Sequence, residues 1–142
     1  MRRLLIVACA DVTLHMVAQV RGRCRVFRLS HSPPHFAMLC RLGVTPLRGD
    51  LDWPQTLEAL AGLAHDAVHF APPHGVRDTH TAHLIAALAK GQSLPQQLIH
   101  ISTSGAYGDR NGEFVDAARP ARRQTDRVRR AILNARRRTH HV

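Results

Sequence analysis

Apolar and polar positions follow two rhythms along this chain. Short, mostly apolar runs at Arg3 to Ala8, Arg25 to Leu29, Val44 to Leu47, Ala67 to Ala71 and Gln97 to Ser102 are bounded by small or turn-forming residues. These read as buried β-strands. Between them, apolar residues return every three or four positions, the repeat of a helix with one buried face. Val12, Met16, Val17 and Val20 predict a first helix. A second runs from His35 to Leu42, opened by Pro33 and Pro34 and stopped at Gly43. Leu57, Leu60, Ala61 and Ala64 place a third after Trp53-Pro54, and His83, Leu84, Ala87 and Leu88 place a fourth over Thr79 to Lys90, closed by Gly91. A last helix runs through an arginine-rich stretch, with Val128, Ile132 and Ala135 as a thin apolar stripe.

Strands alternating with helices at this spacing predict an α/β fold, a doubly wound parallel sheet of about five strands joined by right-handed crossovers. Ligands of such sheets bind beyond the carboxyl ends of the strands, where the strand order reverses. The loops after Val7, Leu29, Leu47, Phe70 and Ile101 are therefore the ones expected to carry chemistry.

Composition narrows this picture. The chain has 142 residues, enough for one domain with a core, and no apolar run long enough for a membrane-spanning helix. Leu4 to Ala10 imitates a signal sequence, but the stretch is short and Asp11 follows at once, so a strand accounts for it better. Cys9, Cys24 and Cys40 form no CxxC pair and read as reduced thiols of a cytoplasmic protein.

The formal charge of +10 is concentrated at one end. From Arg119 to Val142 there are nine arginines against a single acid, Asp126. The expected organisation is a nearly neutral body over residues 1–118 and an Arg-rich helix and tail over 119–142. One reading of function follows from the tail alone: a non-enzymatic partner of nucleic acid or of an acidic protein. With no aromatic residue in that segment for base stacking, only phosphate contacts would operate.

The loops themselves suggest a different function. Gly49-Asp50-Leu51-Asp52, His69-Phe70-Ala71-Pro72-Pro73 and Ile101-Ser102-Thr103-Ser104-Gly105-Ala106-Tyr107-Gly108 follow an N-terminal strand and turn, in that order. This set resembles the NAD(P)-dependent epimerase/dehydratase family, the extended or atypical short-chain dehydrogenases. The resemblance implies a Rossmann-like nucleotide-binding domain over residues 1–118, matching the N-terminal half of family members about twice as long. A chain truncated in this way would leave a sheet edge bare, from which a homodimer is expected. It also implies a dinucleotide cofactor, NAD or NADP, and hydride transfer to or from a hydroxyl of a sugar-nucleotide-like substrate.

Residue by residue, the resemblance places the first-strand turn at Ala8, Ala10 and Thr13, where the family has three glycines. The helix N-terminus at Ala10, Asp11 and Val12 remains as a source of amide donors for a diphosphate. Asp50 and Leu51 match the position beside the adenine, and Ala71 and Pro72 match the loop bordering the nicotinamide. The family's acid for the ribose hydroxyls is absent, since Leu29-Ser30-His31-Ser32 stands there; His31 and Arg28 favour a phosphorylated ribose and hence NADP. Thr103 matches the residue that orients the substrate oxygen, and Tyr107 is the only tyrosine available as a proton carrier. The family's Tyr-x-x-x-Lys pair is missing from the last helix, where Asp126 and Arg130 stand in its place. Impaired turnover is the expectation. His80 and His83, one helical turn apart with His74 just upstream, were the best metal candidates, but they lack convergent partners at ligand spacing, so no metal site is assigned.

Overall fold

The computed structural model describes residues 1–8, 10–72 and 78–101, with the side chain of Ala10 left aside. Five strands, β1 (Arg2–Val7), β2 (Cys24–Ser30), β3 (Val44–Arg48), β4 (Asp66–His69) and β5 (Gln97–His100), form one sheet in the order β3-β2-β1-β4-β5. Every pairing is parallel. β1 lies at the centre because it is apolar on both faces. Leu4 and Ile6 enter one core with Val17, Val26, Leu39, Val44 and Val68, whereas Leu5 and Val7 enter the other with Phe27, Leu29, Leu57, Leu60, Leu84 and Leu88.

Helices cover the two faces separately. α1 (Ala10–Val20) and α2 (Phe36–Arg41) contribute Val17 and Leu39 to the first core, and a 3-10 helix, Pro54–Leu60, and α3 (Thr79–Ala89) supply the second. The chain winds outward from β1 to β3, crosses back, and winds outward again through β4 and β5. This is the doubly wound, Rossmann-like α/β arrangement, with its switch point between β1 and β4.

The elements depart from the sequence pattern in four places, each with a physical cause. α1 buries Thr13 and Val17, with Met16 and Val20 partly covered, while Val12 is 43% exposed; the buried stripe is one residue out of step with the apolar one. The segment after Trp53 is a 3-10 helix, not an α-helix. Its turns close from Thr56 to Trp53 and from Ala61 to Glu58, and a three-residue repeat stacks Leu57 above Leu60, both fully buried. β4 ends at His69, two residues early, because its partner β1 stops at Val7. β5 in turn ends at His100, opposite His69, and the Ile101 amide makes one last bond to the His69 carbonyl.

Among the described residues β5 is an edge strand, with Ile99 and, just beyond it, Ile101 about half exposed. Among the described residues, no helix is long and apolar enough to cross a membrane. The expected arginine-rich helix over 119–142, Cys9, and the loop from Ser102 to Gly108 lie outside the described residues.

Candidate functional site

At the carboxyl ends of β1, β2 and β3, where winding reverses, the chain leaves a crevice of about 520 Å³. It is bounded by two local turns and the end of β2. The first is forced at Ala8, which has φ 63, the left-handed conformation that glycine adopts freely and alanine does not. The sequence carries alanine there, but the backbone keeps the geometry that a glycine would serve. Ala8→Gly should relieve a methyl strain of about 1–2 kcal/mol, offset by about 0.5–1 kcal/mol of extra chain entropy. A net gain of about 0.5–1 kcal/mol in urea unfolding is expected, and a loss of stability would contradict the strain.

The second turn is Gly49 to Trp53. Asp50 Oδ1 accepts from the Asp52 amide at 3.0 Å, and the Asp50 amide donates to Thr56 Oγ1 at 2.9 Å. These bonds set the Asp50-Leu51 backbone at the crevice mouth. Two histidines of α3 fasten that loop from the other side. His80 Nε2 donates to Asp52 Oδ1 at 2.8 Å, and His83 Nδ1 donates to the Leu51 carbonyl at 2.6 Å. The metal candidates of the sequence are thus engaged separately as loop clamps. Among the described residues no three His, Cys, Asp or Glu side chains form a metal cluster.

Behind the crevice, the carboxyl ends of β4 and β5 carry a histidine pair under α3. His69 is fully buried, shares a hydrogen bond of 3.0 Å with Thr81 Oγ1, and lies 5.0 Å from the His100 ring. Burial, then the proximity of His100, pulls the His69 pKa down to about 4 against the opposing pull of Asp78. Burial also lowers that of His100. Both rings are therefore neutral near pH 7. Asp78, itself at φ 45, caps α3 by accepting the Thr81 amide.

The third wall is β2 with its following loop. Arg28, Ser30, His31 and Ser32 line it, and Arg28 is 6% exposed. Among the described residues, its Nε and Nη1 are buried without a hydrogen-bond partner. A guanidinium left in this state suits an anion better than it suits the protein.

Of the residues singled out from the sequence, Ala8, His31, Asp50, Leu51, Ala71 and Pro72 all line this one crevice. Asp11 and Val12 are exposed on α1 and do not line it, because the helix turns them away from the sheet. Ala10 opens α1, and Thr13, at the third glycine position, is fully buried between helix and sheet. Thr103 and Tyr107 lie outside the described residues. Val7, Arg28, Leu29, Ser30, Ser32, His35, Gly49, Asp52 and His80 complete the lining. The signal for them was positional only: each falls within or beside a loop at a strand's carboxyl end.

The sequence matches no protein-family model and no curated protein. Solved structures do match. A putative epimerase from Burkholderia cenocepacia superposes with a TM-score of 0.64 at 19% identity, over 97% of this chain and 50% of that one. The Citrobacter sp. triphenylmethane reductase complexed with NADP(H) gives 0.59 at 15% identity, over 97% and 46%. A short-chain dehydrogenase/reductase from Veillonella parvula gives 0.60 at 19% identity, over 91% and 63%. The chain spans about half the length of the first of these structures. Its fold is that of epimerases and short-chain reductases of the Rossmann type.

Proposed function

We propose that residues 1–118 are a nucleotide-binding unit for NAD(P), of the kind that serves oxidoreductases acting on sugar-nucleotide-like hydroxyl substrates. One observation carries this reading: six residues matched to cofactor positions from sequence alone converge on one crevice at the switch point. The residues present fit the group. Leu51 and Ala71 give the crevice apolar lining, and Asp50 Oδ1 fixes the loop after β3 by accepting the Asp52 amide. Arg28 supplies an unmatched cation.

A nicotinamide dinucleotide held there would supply two-electron redox chemistry. NADP is favoured over NAD, because no carboxylate follows β2 to receive ribose hydroxyls, and His31 with Arg28 suits an added phosphate. Thr103 would orient the substrate oxygen, with Tyr107 as the available phenol. Turnover is expected to be poor, since no Tyr and no Lys occurs between Pro120 and Val142 to form the proton-transfer pair.

Calorimetric titration with the oxidised and reduced forms of both dinucleotides tests the reading. NADP(H) should release heat and raise Tm more than NAD(H) at equal concentration. Silence from all four at millimolar concentration, with no thermal protection, would overturn it.

A further inference from the structure

β2 buries a charge where its neighbours bury carbon. In the parallel register Arg28 stands between Ile6 of β1 and Pro46 of β3. Phe27 and Leu29 pack into the core under α3, so the alternation of the strand sends Arg28, like Val26, to the face covered by α1 and α2. It is more than nine-tenths buried, its Nε and Nη1 have no partner among the described residues, and it lines the crevice. A guanidinium keeps its charge and five donors at any physiological pH, so it cannot escape the cost of burial by losing a proton. Only an acceptor can satisfy it, and a phosphate offers two oxygens in matching geometry.

The same crevice is poor in the usual means of holding phosphate. A glycine-rich first-strand turn lets the backbone approach a diphosphate, and this chain has none of those glycines: Ala8 stands in a left-handed turn, and Ala10 and Thr13 hold the two following positions. One cavity therefore combines a first-strand turn without glycine with a buried side-chain cation.

We propose that Arg28 is the phosphate anchor of the crevice, holding by a side chain the anionic group that a glycine turn would hold by backbone amides. This rests on reading the crevice as a nucleotide site. The ligand class is the diphosphate of a nucleotide.

The test is thermal shift and calorimetry on the full chain, Arg28→Met and Arg28→Lys, with pyrophosphate, ADP, adenosine 2′-monophosphate and adenosine as probes. Arg28→Met should lose about tenfold or more in affinity for the phosphate it holds, with adenosine binding unchanged. Without ligand it should be at least as stable as the parent, because an unmatched cation has been replaced by an apolar chain of similar length. Arg28→Lys keeps the charge but not the fork, so its loss should be intermediate; it also serves if the Met variant fails to fold. Losses on pyrophosphate and ADP are the expected result; a loss on adenosine 2′-monophosphate alone would place Arg28 at a ribose phosphate and overturn the diphosphate anchor. Equal affinities of parent and both variants for every phosphate would overturn the anchor while leaving a nucleotide crevice. Arg28-dependent binding of pyrophosphate with no binding of adenosine or ADP would keep the anchor and overturn the nucleotide reading. A parent chain that binds none of the probes overturns both.

Discussion

Lowering the pH from 7 to about 4 is expected to cost the fold about 3 kcal/mol through one side chain, His69. The native pKa of about 4 lies below the ordinary 6.5. Between those values the unfolded chain takes up a proton that the native chain refuses. The stabilisation is therefore complete above pH 6.5 and drains away as pH falls toward 4, at up to about 1.4 kcal/mol per pH unit. His100 is shifted in the same direction by burial and adds to this slope. Asp78 opposes it by favouring the charged ring, and His80 reinforces it. Arg2 and Asp66 form a separate pair at 2.7 Å at the opposite strand ends; the Asp66 carboxyl is held below its ordinary range by the guanidinium and contributes only at lower pH. Urea unfolding at stepped pH gives the measurement. His69→Gln, which keeps a polar group toward Thr81 without a titrating ring, should flatten the slope between pH 6.5 and 4. An unchanged slope in that variant would place the acid sensitivity elsewhere.

That histidine also marks the limit of what sequence pattern can convey. The alternating strands and helices, the parallel sheet and the crevice at its switch point follow from apolar spacing, because burial on two faces leaves β1 few alternatives. Ala8, Asp50, Leu51, Ala71 and Pro72 follow instead from the family resemblance of the loops that carry them, and the structure brings them to one crevice. By contrast, His69 could not be recognised as a neutral buried ring. Its environment comes from Thr81 and His100, contacts twelve and thirty-one positions away along the chain. His80 and His83 lie at a spacing that suits a shared ion, and the Asp50–Asp52 loop engages each of them separately. The 3-10 helix was read as an α-helix because Leu57 and Leu60 satisfy either repeat, and only the bonds closing its turns distinguish them. Arg28 was visible as a charge near the end of a strand, but its orphaned donors depend on the burial given by α1, α2 and the flanking strands.

A single added methyl at Gly91 is expected to destabilise the protein more than a methyl at any other described glycine, by about 3 kcal/mol. Sequence pattern makes Gly91 a helix stop, and a helix stop suggests a left-handed backbone. Instead, the glycine sits where the chain leaving α3 passes over the chain leaving the 3-10 helix. A Cβ there would run into the Gly62 backbone nitrogen, with the Ala61 carbonyl carbon and Gly62 Cα each at 2.9 Å. All three are main-chain atoms that cannot rotate aside, so the two segments would have to separate. Gly43 provides the contrast. It has φ 76 with nothing within 4 Å of an added Cβ, so Gly43→Ala carries only the conformational cost of about 1 kcal/mol. Equilibrium urea unfolding of both variants separates steric from conformational demand, and equal losses would refute the steric account. The crossing matters beyond stability because α3 carries Thr81, His80 and His83 at its other end, where they hold the His69 ring and the Asp50–Asp52 loop. Displacing α3 at Gly91 should therefore weaken nucleotide binding, although Gly91 does not line the crevice, while Gly43→Ala leaves binding unchanged. Binding retained in a clearly destabilised Gly91→Ala protein would show that the crevice does not depend on the seating of α3.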